Sequence, residues 1–174
     1  MKKETKEPKV KITRKVEYIS QNSKKKLKEE STIAKAEKKD CMVYATAAAF
    51  DIDYDTAHSI VKERFKREDK KGTKNGHLLK GMEEMVQTQD TINGKTVSEI
   101  LAMPKKNYKC YGEVVPRSLR VYSFADQHKE GTYLILVREH ALVVKDGVII
   151  DNNTKVAAKS LVQHVFKVTE KEVK

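Results

Sequence analysis

The stretch DCMVYATAAAF, residues 40–50, decides the fold of this 174-residue chain. It is rich in alanine, carries no charge after Asp40 and has a good propensity for helix. We therefore expect a buried helix whose first residue is Cys41, with Asp40 as its N-cap. A cysteine at this position lies at the positive end of the helix dipole, beside unpaired N–H groups, and both favour thiolate over thiol.

Further helices are predicted on both sides of the chain centre. Asp53 or Asp55 can cap an amphipathic helix that runs to about residue 68, and residues 77–87 place their apolar side chains on one stripe. The dipeptide at 93–94, Asn-Gly, predicts a turn. A short helix capped by Ser98 is predicted at 97–103.

The last third of the chain has the pattern of strands. Runs rich in β-branched residues at 132–137, 140–144, 147–150 and 164–168 predict four of them, preceded by a short helix that Ser123 can cap. An edge strand is also predicted at 9–19. Helices before antiparallel strands indicate an α+β fold, in which an N-terminal helical half packs on a C-terminal antiparallel sheet.

A hairpin signal brings two chemically active side chains together. Asp146-Gly147 stands between two β-branched runs, and a two-residue turn there pairs Lys145 with Val148. Side chains of a strand alternate between the two faces of a sheet, so this pairing places His140 on the same face as Asp151 and Asn153. Both are within reach of its imidazole. A three-residue loop would bring Asn152 to this face instead.

A cysteine at a helix start, a histidine at a strand start and a polar residue on the next strand can form a nucleophilic unit. The histidine takes the thiol proton, the Asp or Asn orients the ring, and the thiolate attacks an acyl carbon. Cys110 and His58 lack such neighbours in the sequence, and we expect no catalytic role for either.

Charge divides the chain unevenly. It holds 36 Lys and Arg against 25 Asp and Glu, a formal charge of +11, and residues 1–30 alone carry 11 basic and 5 acidic residues. We therefore divide it into a basic, partly disordered N-terminal extension, residues 1–30, and one domain, residues 31–174. The extension suggests contact with nucleic acid or an acidic partner.

Several functional classes find no support in the sequence. No apolar run is long enough to cross a bilayer, and no apolar segment follows the charged N-terminus as a signal peptide requires. We expect no membrane association and an intracellular, reducing compartment. There is no nucleotide-binding glycine motif and no HExxH or CxxC pair, so neither a cofactor nor a metal is expected.

Two segments resemble the small papain-like cysteine peptidases of bacteriophages. DCMVYATAAAFDIDYDTAHSIV, residues 40–61, is similar to the nucleophile helix of that group and the helix after it. SFADQHKEGTYLILVREHALVVKDGVIIDNN, residues 123–153, resembles its second half, in which the catalytic histidine opens a strand and a hairpin leads to an acidic residue. The resemblance implies a papain-like fold with Cys41 as nucleophile, His140 as general base and Asp151 as orienting residue. It also implies a location in the cytoplasm of a host cell or on a virion.

The sequence departs from that group at the oxyanion hole. Papain-like enzymes commonly place a glutamine about six residues before the cysteine, and Lys35 stands there in this chain. The remaining candidates are the Cys41 backbone N–H, Asp40 and Lys39.

The sequence thus predicts a cysteine peptidase, isopeptidase or amidase acting on a peptide or protein substrate. The alternative is an inactive structural or binding protein on the same fold, associated with a virion.

Overall fold

A computed structural model describes residues 18–20, 31–151 and 157–172, so Asn152, Asn153 and most of the N-terminal extension lie outside the described residues. The helices are α1 (Thr32–Ala36), α2 (Cys41–Phe50), α3 (Tyr54–Arg64), α4 (Asn75–Thr88) and α5 (Val121–Gln127), with a 3-10 turn at Ala157–Lys159. The strands are β1 (Tyr18–Ser20), β2 (Lys95–Ala102), β3 (Lys105–Cys110), β4 (Glu113–Ser118), β5 (Thr132–Val137), β6 (His140–Lys145), β7 (Val148–Asp151) and β8 (His164–Glu170).

Six strands form one sheet in the order β1-β7-β6-β5-β8-β2, and β3 pairs with β4 in a separate hairpin. All neighbours in the larger sheet are antiparallel except β1 and β7, which run parallel. Helices come first and antiparallel strands dominate the second half, so the predicted α+β class is confirmed. No helix among the described residues is long and apolar enough to cross a bilayer.

The sheet is covered on both faces. Val143 of β6 belongs to a core cluster with Phe50 and with the inner sides of α2, α3 and α4. Its neighbour Leu142 points the other way, into a second cluster with Phe124 of α5. Alternating side chains of one strand therefore pack into two different cores. For this reason the sequences of β5 and β6 are almost continuously apolar.

Helix α2 lies directly on β6. Its Ala45 and Ala49 are buried, and such small side chains allow a helix to approach a sheet closely. The predicted bounds and burial of this helix are confirmed. This contact brings the start of α2 toward the start of β6.

The hairpin register is as predicted. Asp146 and Gly147 have φ of 49° and 77°, and Lys145 pairs with Val148 across a two-residue turn. Both turn residues lie in the left-handed region, as the hairpin turn that matches strand twist requires. The three-residue alternative, which would have moved Asn152 onto the histidine face, is therefore wrong.

Two local predictions are wrong. Residues 97–103 were expected to be helical, but Lys95–Ala102 forms β2, which pairs along its length with β8. A bulge between Val97 and Glu99 interrupts the period of two and disguises the strand in the sequence. Helix α5 begins at Val121 rather than after Ser123, which is buried inside it.

The structure describes three residues of the N-terminal extension. Tyr18–Ser20 forms an edge strand beside β7, with Ser20 paired to Asp151. Residues 9–17 of the predicted edge strand lie outside the described residues.

Two glycines of α4 provide a matched test of packing. A methyl group at Gly81 would lie 2.6 Å from a ring carbon of the buried Phe65, whereas one at Gly76 would meet nothing within 4 Å. Alanine normally favours a helix over glycine by about 1 kcal/mol, but overpacking a core costs about 1–3 kcal/mol. We predict that Gly81→Ala lowers the free energy of unfolding in urea by about 1–2 kcal/mol while Gly76→Ala does not lower it. Equal effects would contradict this packing.

Candidate active site

Cys41 is the first residue of α2 and is partly exposed. Asp40 occupies the N-cap position as predicted, but its side chain makes no capping hydrogen bond. Instead its carboxylate accepts a 2.7 Å bond from the hydroxyl of Tyr54. The competing bond to Tyr54 leaves the first N–H groups of α2 without a side-chain cap, beside the Cys41 thiol.

His140 and Asp151 are joined by a hydrogen bond. Nε2 of His140 lies 2.7 Å from Oδ1 of Asp151, which is only 2% exposed. His140 opens β6 and Asp151 closes β7, so the hairpin that the sequence predicted sets this contact. The bond fixes the ring's orientation and leaves Nδ1 as the nitrogen available to the thiol.

The electrostatics of His140 favour its protonated form. Burial alone would lower the pKa of His140, but the hydrogen bonds to Asp151 and to the Cys41 thiol, with their negative charges, raise the pKa to about 10. Cys41 and His140 also line the same cleft, so the thiol lies beside the imidazole. The predicted three residues, Cys41, His140 and Asp151, are therefore brought together.

Cys41 and His140 open into a cleft of about 940 Å³, while Asp151 is buried beside the His140 ring. One side is formed by the start of α2 and the residues before it, and another by the turn between β5 and β6. The loop before α4 forms a third side. The lining residues include Lys39, Gly72, Thr73, Lys74, Leu78, Leu136 and Glu139.

The three predicted oxyanion-hole candidates all line this cleft. The carboxylate of Asp40 is held by Tyr54 and can only accept hydrogen bonds, so a donor there has to come from the backbone. Lys39 has a left-handed backbone, with φ of 53°, two residues before the nucleophile. Lys35, at the position of the expected glutamine, is not among the cleft-lining residues.

Sequence reasoning missed Thr73. Its hydroxyl is buried, has no hydrogen-bond partner among the described residues, and belongs to a residue that lines the cleft. Nothing in the local sequence, DKKGTKNG, distinguishes this threonine from an ordinary loop residue.

A buried charge network supports the segment that leads to Cys41. Arg67, with a side chain 1% exposed, bonds a carboxylate oxygen of Glu37 at 2.5 Å and the carbonyl of Lys38 at 3.2 Å. Burial raises the pKa of Glu37, but hydrogen bonds from Arg67 and His58 outweigh it and hold the pKa below its usual value. His58, for which no catalytic role was expected, is thus a buried member of this network.

The same network argues against a metal there. Glu37, His58 and Asp69 place ligand atoms within 4.8 Å of one another. The guanidinium of Arg67 lies 3.2 Å from Nε2 of His58 and bonds Glu37, so a cation already occupies the space between those two ligands. The group is a salt-bridge network.

No family model, curated protein or solved structure matches this chain. Any assignment of function therefore rests on the geometry of the site.

The bond between Tyr54 and Asp40 can be tested by removing one oxygen. Tyr54→Phe leaves a buried carboxylate without this donor, and we predict a loss of about 1–3 kcal/mol in the free energy of unfolding in urea. Tyr122→Phe is the control, because Tyr122 is exposed. It should change stability by less than about 0.5 kcal/mol. A neutral Tyr54→Phe would contradict the proposed support of Asp40.

The titration of His140 has a defined direction. Because its pKa is raised from 6.5 to about 10, its contribution to stability is fully present below pH 6.5 and is lost as the pH rises through about 10. We predict that NMR shows the His140 ring still protonated at pH 8, and that Asp151→Asn lowers the midpoint. A midpoint near 6.5 in the unaltered protein would contradict the geometry.

Proposed function

We propose that this chain is a cysteine-nucleophile hydrolase of amide bonds, with a papain-like fold. The observation that supports the proposal is the interaction of Cys41 with the His140 ring. Cys41 lies at a helix start that has no side-chain cap, and buried Asp151 accepts a hydrogen bond from Nε2 of the ring. These three groups come from separate elements, yet Cys41 and His140 line one cleft and Asp151 holds the ring from inside the fold, as nucleophilic catalysis requires.

The chain order supports the papain-like assignment. The nucleophile opens a helix that packs on an antiparallel sheet, the histidine opens a strand, and the acidic residue ends the next strand. The resemblance seen in the sequence has the same order.

The first half of the proposed reaction uses a thiolate and an imidazolium. Sγ of Cys41 attacks the carbonyl carbon of the substrate, and the C=O π electrons move to the oxygen. The uncapped N–H groups at the start of α2 stabilise this negative oxygen. His140 then donates its proton to the leaving nitrogen, the C–N bond breaks, and an amine departs from a thioester on Cys41.

The second half returns the site to its first state. His140, now neutral, takes a proton from water, and the hydroxide attacks the thioester carbon. The C–S bond breaks, the carboxylic acid leaves, and the thiolate and the imidazolium are regenerated. Asp151 holds the ring orientation through both halves.

The proposal is tested by the pH dependence of Cys41 alkylation by iodoacetamide, in a Cys110→Ser background. An isolated thiol with a pKa of about 8.5 is almost wholly protonated at pH 6. We predict that Cys41 reacts at pH 6 at least about tenfold faster than in the same protein carrying His140→Ala, because the imidazolium stabilises the thiolate.

A matched control is His128→Ala, since His128 is the C-cap of α5 and does not line the cleft. It should leave the alkylation rate unchanged. Reaction only near a pH of about 8.5, with no dependence on His140, would contradict catalysis and favour the alternative of an inactive binding protein on the same fold.

A further inference from the structure

We propose that the hairpin β3–β4, here called the basic ribbon (Lys105–Ser118), binds single-stranded nucleic acid. None of its residues lines the cleft. The ribbon is a two-stranded sheet of its own, outside the six-stranded sheet. Among its residues whose side chains are described, all between 105 and 117 are exposed.

The charges of the ribbon have no internal balance. It carries Lys105, Lys106, Lys109 and Arg117 against one acid, Glu113. Lys106 lies directly opposite Arg117 across the two strands. Like charges in opposed positions destabilise a hairpin. Among the residues that the structure describes, neither has an acidic partner.

Aromatic rings accompany these cations. Tyr108 is on the same face as Lys106 and Arg117 and is 39% exposed. Tyr111 is fully exposed at the tip of the ribbon. The exposed part of each ring adds little to folding, but it offers a surface on which an unpaired base can stack.

The conformation of Tyr111 strengthens the argument. Tyr111 and Gly112 form the two-residue turn with φ of 50° and 84°. A bulky residue is unfavourable in this left-handed conformation, where asparagine is preferred. Tyr111 therefore has a conformational cost at the tip of the ribbon, and no contact within the described fold offsets that cost.

These features favour a nucleic acid strand over an acidic protein. Phosphates would neutralise the opposed cations, and splayed bases would cover the tyrosine rings. An acidic peptide would satisfy the cations alone. A duplex offers phosphates but keeps its bases stacked, so the exposed rings favour a single strand.

The test measures binding of the full chain to fluorescein-labelled oligothymidine of about 20 nucleotides by fluorescence anisotropy across a salt series. We expect tighter binding to the single strand than to a duplex of equal length. Lys106→Ala with Arg117→Ala should weaken binding and reduce the slope of log K against log salt by about 1.4. Tyr111→Asn should weaken binding about tenfold without changing the slope, because it removes a ring and improves the turn.

The matched control is Lys35→Ala with Lys80→Ala, which removes two exposed lysines outside the ribbon. This control should reduce the salt slope by less than the ribbon variant does. No variant should lower the melting temperature, since the altered residues are exposed. The proposal is overturned if the unaltered chain does not bind the single strand. It is also overturned if the ribbon variants bind as tightly as the unaltered chain, because the binding surface would then lie outside the ribbon. If polyglutamate binds more tightly than the oligothymidine and the ribbon variants weaken that binding, the partner is an acidic protein and the proposal is likewise overturned.

Discussion

The contact between α2 and β6 is the constraint on which the site depends. Alanines at 45 and 49 let the helix lie close to the sheet, and this closeness brings Cys41 to the His140 ring. A larger side chain on that helix face would push the helix start away from the strand. The chemistry at the cleft therefore rests on packing several residues from any reacting atom.

Two non-glycine residues with a left-handed backbone lie beside the site. Glu139 immediately precedes His140 with φ of 57°, and Lys39 lies two residues before Cys41 with φ of 53°. Non-glycine residues in this region cost about 1–3 kcal/mol and persist when the surrounding structure fixes them. Two side chains fix the segment before Cys41: Arg67 donates a hydrogen bond to the Lys38 carbonyl, and the Tyr54 hydroxyl donates one to the Asp40 carboxylate.

The central helix and the last hairpin could be predicted from the sequence because both have strong local signals. An alanine-rich run begins at Cys41, and Asp146-Gly147 sets the register that joins His140 to Asp151. The strand at Lys95–Ala102 could not be predicted, since its bulge removes the alternation on which such a prediction depends. The ribbon β3–β4 was also missed, because its turn uses Tyr-Gly where Asn-Gly is the usual signal.

Parts of the site that arise from long-range contacts carry no sequence signal. Asp40 was a reasonable N-cap, but Tyr54, fourteen residues later, takes its carboxylate. The partnership of Arg67 with Glu37 spans thirty residues, and the buried hydroxyl of Thr73 belongs to a cleft-lining residue of a polar loop. Only the packed fold determines which polar groups meet.

The most direct test of the account is acylation of Cys41 by an activated ester, followed by intact mass in a Cys110→Ser background. The account predicts that a p-nitrophenyl ester forms a thioester on Cys41 that is then hydrolysed, so that each molecule turns over many times. His140→Ala should form the thioester slowly and retain it. A thioester that accumulates on the unaltered site without turnover, or turnover that persists in Cys41→Ala, would contradict the claim that Cys41, His140 and Asp151 act as one catalytic unit.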